Sequence, residues 1–330
     1  MIRKKNSIFG NFLNLMNNRR SFIVGIKSTI LLSKEKKFLK KYKPWGVILF
    51  ARNIKNIEQT FKLTKSIRKI FNDNKYPILV DQEGGRVNRL KNIISFDNLT
   101  SEFFGKKYIK NYKEFKFYYK LFIDKTSYLL KSIGININTV PVLDLRIKGS
   151  SNIIGDRSFS KNPKTVSKIG DYCIQYFLEN KIGTVIKHIP GHGQAKVDSH
   201  YFTPIVNKSL NYLIKNDFKC FKNKKTLFAM TAHVIFNKID QKNTVTHSNK
   251  IIKIIRDRIG FKNLIISDDI SMNSLKGNVK ENTIRTFNSG CDLVLHCNAN
   301  YKEMEIIGKN SPLVSKFIIK KTSQFYKVLS

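Results

Sequence analysis

The sequence has no apolar run that approaches the ~18–20 residues needed to cross a bilayer, so no membrane span is expected. Residues 1–20 are basic but carry no sustained apolar stretch and no small-residue cleavage site, and a secretory signal is not expected either. The four cysteines, Cys173, Cys220, Cys291 and Cys297, are scattered without a C-x-x-C pair. That usage fits reduced thiols in a cytoplasmic protein better than disulfides or a zinc site. No H-E-x-x-H helix or comparable ligand spacing is present, so neither a metal nor a cofactor is expected. Linkers, low-complexity stretches and internal repeats are missing as well. The chain reads as a basic N-terminal extension over residues 1–20, with no assigned function, and a single domain over 21–330.

Acidic residues are scarce too: 23 Asp and Glu stand against 61 Lys and Arg, a formal net charge of +38. A charge of that size raises the possibility of nucleic-acid binding. Lys greatly outnumbers Arg, however, and Ile and Asn are abundant, as a genome biased toward A and T would produce. The lysines are spread along the chain without an Arg-rich tail or a basic region interleaved with aromatics. Neither a specific nucleic acid nor a membrane is therefore an expected partner, and the chain is expected to be a monomer. The charge should still attract acidic ligands and make the protein sensitive to salt.

What is present is a chain of 330 residues, long enough to bury a large core as one α/β barrel or two smaller domains. Eight apolar runs read as strands covered on both faces: Phe22–Ile26, Gly46–Phe50, Pro77–Asp81, Ile135–Val142, Gly183–Lys187, Thr226–Thr231, Asn263–Ser267 and Asp292–His296. Helical periodicity fills the intervals. Phe115, Tyr118, Phe122, Thr126, Leu129 and Ile133 define one inward stripe, stopped by Gly134. Asn162-Pro163 starts a second helix with Val166, Ile169, Cys173, Tyr176 and Phe177 inward. Ser248 caps Asn249–Ile259, which Gly260 ends, and Ser311-Pro312 starts a final helix with Leu313, Phe317 and Phe325 inward. Eight β/α units point to a single (β/α)8 barrel of the TIM type rather than a doubly wound sheet.

Reactive groups cluster where those strands end, which is where such barrels carry their chemistry: Asp81, Lys187-His188, His233 and Asp268. The densest segment is Lys187–His200, which holds three of the six histidines together with Asp198. Asp198 and His200 stand two residues apart, so in extended backbone they face the same way, and the carboxylate can orient and charge-stabilise a proton-transferring imidazole. His188 and His192 read as shaping or binding residues.

Around the paired glycines of Asp81–Val87, a strand-end carboxylate can accept from two neighbouring hydroxyls, and Arg89 adds a fork of donors. A structural salt bridge beside a turn is the other reading. In Gly155–Phe159, Arg157 can reach an acidic or amide-bearing ligand with Asp156 holding it, or the two can form a solvated loop pair. Ser267-Asp268-Asp269 puts adjacent acids at a strand end. In extended backbone only one faces the pocket, and the other braces the loop.

At these residues the sequence resembles glycoside hydrolase family 3, in particular its short bacterial β-N-acetylhexosaminidases of cell-wall recycling. Lys187–His200 carries the most specific part, and Asp81–Arg89, Gly155–Phe159, Met230–Val234, Ser267–Met272 and Gly290–Asp292 match in order. Ile189, Gln194 and Ala195 differ from the family's pattern. The resemblance implies that Asp268 is a nucleophile forming a covalent glycosyl-enzyme, and that His200, paired with Asp198, is the acid/base. It further implies that Asp81, Arg89, Arg157, Lys187 and His188 bind the sugar. The implied substrate is a terminal β-1,4-linked N-acetylglucosamine on a muropeptide fragment, and the implied compartment is the cytoplasm. Two alternatives stand beside it: a polyanion-binding protein on a catalytically decayed barrel, and a β-glucosidase or β-xylosidase of the same family.

Overall fold

A computed structural model describes residues 13, 15–199 and 201–330. Among them the strands, in chain order, are β1 (Arg20–Gly25), β2 (Pro44–Leu49), β3 (Ile78–Val80), β4 (Ile137–Asn138), β5 (Gly183–Ile189), β6 (Ile205–Val206), β7 (Phe228–Thr231), β8 (Ile235–Phe236), β9 (Leu264–Asp269) and β10 (Leu293–His296). Eight close into a parallel barrel in the order β1-β2-β3-β4-β5-β7-β9-β10, while β6 and β8 pair with each other outside it. This is the expected (β/α)8 architecture, and each of the eight apolar runs supplies one barrel strand.

Strand alternation explains why both faces are apolar. Ile23, Ile48, Leu79, Ile137 and Val185 point into the barrel and fill it, whereas their neighbours Phe22, Val24, Val47, Val80 and Ile186 point out beneath the helices. The fourth run is shorter as a strand than as a sequence pattern. Pro141 has no N–H for the ladder. The chain rejoins β5 at Val142, opposite Lys187: the Lys187 N–H donates to the Pro141 carbonyl at 3.1 Å and the Leu143 N–H to the Lys187 carbonyl at 2.7 Å.

One end of the barrel is sealed. The last helix, Lys316–Val328, lays Ile318 and Phe325 across the ends where the strands start. Trp45 donates its indole N–H to Thr322 Oγ1 at 2.8 Å, and the Phe228 and Phe325 rings meet edge to face at 5.5 Å. A Cβ on Gly183 would lie 2.7 Å from the Phe325 ring, so this close approach requires glycine. With that end plugged, chemistry is confined to the other.

The helices follow the sequence pattern with instructive exceptions. Asn162 caps Pro163–Glu179 by accepting the Lys164 and Thr165 N–H groups. Helix Tyr112–Ser132 buries Phe115, Phe122, Thr126 and Leu129, but Tyr118 is exposed, because the buried stripe runs through Tyr119 instead. Ser248 caps Asn249–Ile254; the turn then widens to a π-turn over Ile255–Ile259 before Gly260 ends it in the left-handed region. The last helix starts at Lys316 with Ser315 as its cap, not at Ser311-Pro312. Residues 311–314 are tied to β1 instead: Ser21 N–H donates to Pro312 O, and Val314 N–H to Arg19 O. Leu313 is consequently 54% exposed and Phe317 37%, against the inward expectation, while Phe325 is buried as expected.

The described part of residues 1–20 belongs to the barrel. Arg20 opens β1, Met16 is fully buried, and the Arg19 guanidinium is buried against Asp73 and the Tyr76 ring.

Candidate active site

At the open end of the barrel, a cleft of about 160 Å³ is lined by side chains from six strands or the loops that follow them. Asp81 and Glu83 come from the end of β3, and Lys187, His188, His192 and Ser199 from β5 and its loop. Met230 comes from β7, Asp268 from β9, and Leu295 and Cys297 from β10. Arg89 and Arg157 also line it, so Asp81, Arg89, Arg157, Lys187, His188 and Asp268 are brought together as expected. Asp198 lies on the same β5 loop, its carbonyl accepting from the Tyr201 and Phe202 N–H groups at 3.1 and 2.9 Å. His200 lies outside the described residues.

One wall is a charge lattice. The Lys187 ammonium, almost fully buried, reaches Glu83 Oε1 at 2.7 Å, Thr139 Oγ1 at 3.0 Å and Asp81 Oδ1 at 3.3 Å. Glu83 also takes a two-pronged contact from Arg157, Nε to Oε2 at 2.8 Å and a terminal N–H to Oε1 at 2.9 Å. Burial alone would raise the Glu83 pKa, but Arg157 and Lys187 reverse it and hold the carboxyl far below the ordinary range. Asp81, also desolvated, is held low by Lys187 and Arg89. Its Oδ2 meets Arg89 only at 3.6 Å, beyond hydrogen-bond distance. The Arg89 guanidinium stacks over Phe50 at 5.4 Å.

Arg157 is thus held by Glu83, and not by Asp156 as the sequence suggested. Asp156 instead pairs with Arg86, whose Nε donates to Oδ1 at 3.0 Å. The turn places the two acids on different arginines, which adjacency in sequence does not reveal.

Sequence reasoning missed Asp144. Its side chain is fully buried and accepts from the His188 backbone N–H at 3.2 Å, from His188 Nδ1 at 2.7 Å and from the His192 backbone N–H at 2.6 Å. Burial opposes its charge, but His188 more than compensates, and the pKa falls below the ordinary value. The available signal was a carboxylate two residues beyond the fourth apolar run, near a strand end as Asp81 is at the end of the third. His192 donates or accepts through Nε2 to Ser199 Oγ at 3.1 Å, and burial pushes its pKa down to about 4, so the ring is neutral at pH 7.

The adjacent acids divide as the sequence indicated. Asp269 braces the loop: its Oδ1 accepts from Ser271 N–H at 3.0 Å, Ser271 Oγ at 2.8 Å and Cys297 N–H at 3.3 Å. Asp268 faces the cleft, with Oδ1 accepting the Asp269 N–H at 2.8 Å. Burial would raise its pKa; His233 and His188 overcome that, and the group is ionised at neutral pH.

Beneath it runs a hydrogen-bonded chain. The Asp269 carbonyl can only accept, so His233 Nε2 carries the proton donated to it at 2.9 Å. His233 Nδ1 meets Thr246 Oγ1 at 2.8 Å, and Thr246 Oγ1 meets Thr231 Oγ1 at 2.7 Å. Thr231 in turn accepts the Asp268 N–H at 3.2 Å. The backbone around Asp268 is therefore held from both sides.

An ionised carboxylate, a cation-rich wall and a buried imidazole on a carboxylate, all around one polar cleft, suit recognition of a polyol and displacement at an acetal carbon. The profile of the glycosyl hydrolase family 3 N-terminal domain matches residues 25–322. The chain belongs to glycoside hydrolase family 3. A β-hexosaminidase of Methylobacillus flagellatus is 32% identical over 273 residues, covering 79% of this chain and 76% of that protein. One from Psychromonas ingrahamii is 31% identical over 319 residues, covering 94% and 90%. Among solved structures, NagZ from Neisseria gonorrhoeae in complex with N-trifluoroacetyl-D-glucosamine superposes with a TM-score of 0.83 at 28% identity, covering 93% of this chain and 90% of that one. The family 3 chain is thus spanned along nearly its whole length by its relatives.

Proposed function

We propose that this family 3 hydrolase is a retaining β-N-acetylglucosaminidase that removes terminal β-1,4-linked N-acetylglucosamine from muropeptide fragments in the cytoplasm. The observation that carries the reading is the position of Asp268: ionised, facing the cleft and held at its backbone, opposite a wall of fixed donors and acceptors. The β-hexosaminidase relatives support the N-acetylhexosamine part of the assignment.

In this mechanism Asp268 Oδ2 attacks the anomeric carbon, the glycosidic C–O bond breaks, and the leaving oxygen takes a proton from the acid/base. Water then gives its proton back to that base and displaces Asp268. The cleft's other carboxylates are poor candidates for the proton donor, since Asp81 and Glu83 are pinned in the charged form by Lys187, Arg89 and Arg157. The role falls to an imidazole. We assign the role to His200, oriented by Asp198; Ser199, between them in sequence, lines the cleft with Asp268. Asp81, Arg89, Arg157 and His188 bind the sugar, and Lys187 binds it while spacing Asp81 from Glu83.

The test is a panel of 4-nitrophenyl glycosides. Hydrolysis of the N-acetylglucosaminide, with the glucoside and xyloside turned over at least about 100-fold more slowly, is the expected result. A preference for glucoside or xyloside would overturn the substrate assignment.

A further inference from the structure

The helices Ser101–Lys110 and Tyr112–Ser132 present a face that the cleft does not use. On the longer helix Phe117, Leu121 and Tyr128 fall at intervals of four and seven residues, which brings them onto one stripe. They are 65%, 56% and 62% exposed. Beside the stripe, Leu99, Phe103, Tyr118 and Leu121 line an open groove of about 380 Å³, together with Lys107 and Lys125. Contiguous apolar surface of this kind is costly in water and marks a contact.

The charge on the same face identifies the partner. Residues 101–132 hold eight Lys and three acids. All three acids are engaged: Glu102 with Lys106 and Arg146, Glu114 with Lys107, and Asp124 with Lys120. Lys113, Lys116, Lys125 and Lys131 are exposed and form no ion pair within 4 Å among the described residues. A second copy of this chain would bring an equally cationic face against this one, which repels. An acidic peptide would meet the lysines but offers no apolar slab for three large side chains and a groove. A surface that is anionic at its boundary and apolar beneath satisfies both.

We propose that this face docks peripherally on an anionic phospholipid bilayer, with Phe117, Leu121 and Tyr128 entering the headgroup–acyl boundary and the lysines meeting lipid phosphates. These lysines and the stripe share one helix, and its winding sets the charges around the apolar side chains, which the sequence read as a whole does not single out.

Sedimentation with vesicles at physiological salt tests it. The intact chain should bind phosphatidylglycerol–phosphatidylcholine vesicles and not phosphatidylcholine alone. The double variant Phe117→Ser/Leu121→Ser, which keeps every charge and alters only exposed positions, should bind at least about tenfold more weakly. Its circular dichroism and glycosidase rate should match those of the parent. Unchanged vesicle binding by the double variant would reduce the effect to bulk charge and overturn the proposal. So would a concentration-dependent dimer of the parent that the double variant loses. A Phe117→Trp variant gives an independent reading, because the only native tryptophan, Trp45, is buried. Its emission should shift to the blue on anionic vesicles, and an unmoved spectrum would count equally against docking.

Discussion

Asp268 must be ionised to attack and aimed to reach, and separate neighbours meet the two needs. His233 and His188 favour its charge, while the Thr231–Thr246–His233 chain fixes its backbone. Asp268→Asn removes the charge at nearly constant volume and should lower kcat by on the order of 10³-fold or more, with KM little changed, in steady-state assays. Glu83→Gln leaves Arg157 and Lys187 facing a neutral amide. It should cost about 3 kcal/mol of stability in denaturant titration and raise KM, since both cations lose the anion that aims them. The residue scale is also where sequence reading was most uneven. That one of Asp268 and Asp269 faces the cleft follows from strand alternation and was legible. That Glu83 rather than Asp156 holds Arg157, and that Asp144 underlies His188, depends on how distant loops meet.

Among the elements, the strands were legible because most are apolar runs buried on both faces; the fourth, interrupted by Asn136, Asn138 and Thr139, is a strand only over Ile137–Asn138. The last helix was misplaced because Ser311-Pro312 and Ser315 both resemble helix starts. Only the pairing of residues 311–314 with β1 selects the second. That helix seals the end of the barrel opposite the cleft. Phe325→Ala should therefore destabilise the fold by about 3–5 kcal/mol in thermal or denaturant melts while leaving KM unchanged. Thr246→Val is the converse case at the opposite end. It removes the hydroxyl that links Thr231 to His233, and kcat should fall more than KM rises, with a smaller loss of stability than for Phe325→Ala.

For the whole molecule, buried titratable groups set the response to acid. His192 and His247 are pushed down to about 4 and about 3 by burial, so between those values and the ordinary 6.5 the unfolded chain binds protons that the folded chain refuses. Stability contributed by their neutrality is present above pH 6.5 and is lost as pH falls through that window. Asp217 works the other way: burial raises it to about 6, so the folded state gains as pH falls from 6 toward 3.8. Two histidines outweigh one aspartate, and Glu83 adds to the loss below its unfolded value. Tm measured by calorimetry should be lower at pH 5 than at pH 7, by roughly 5 °C for a chain of this size.

The covalent step through Asp268 is the point on which the catalytic account turns, and mass spectrometry of a stalled enzyme reads it directly. A His200→Ala variant, given a dinitrophenyl N-acetylglucosaminide whose leaving group needs no proton, should accumulate one N-acetylglucosaminyl group on the peptide carrying Asp268. An adduct on another residue, or turnover with no adduct and an inverted anomer as first product, would contradict it.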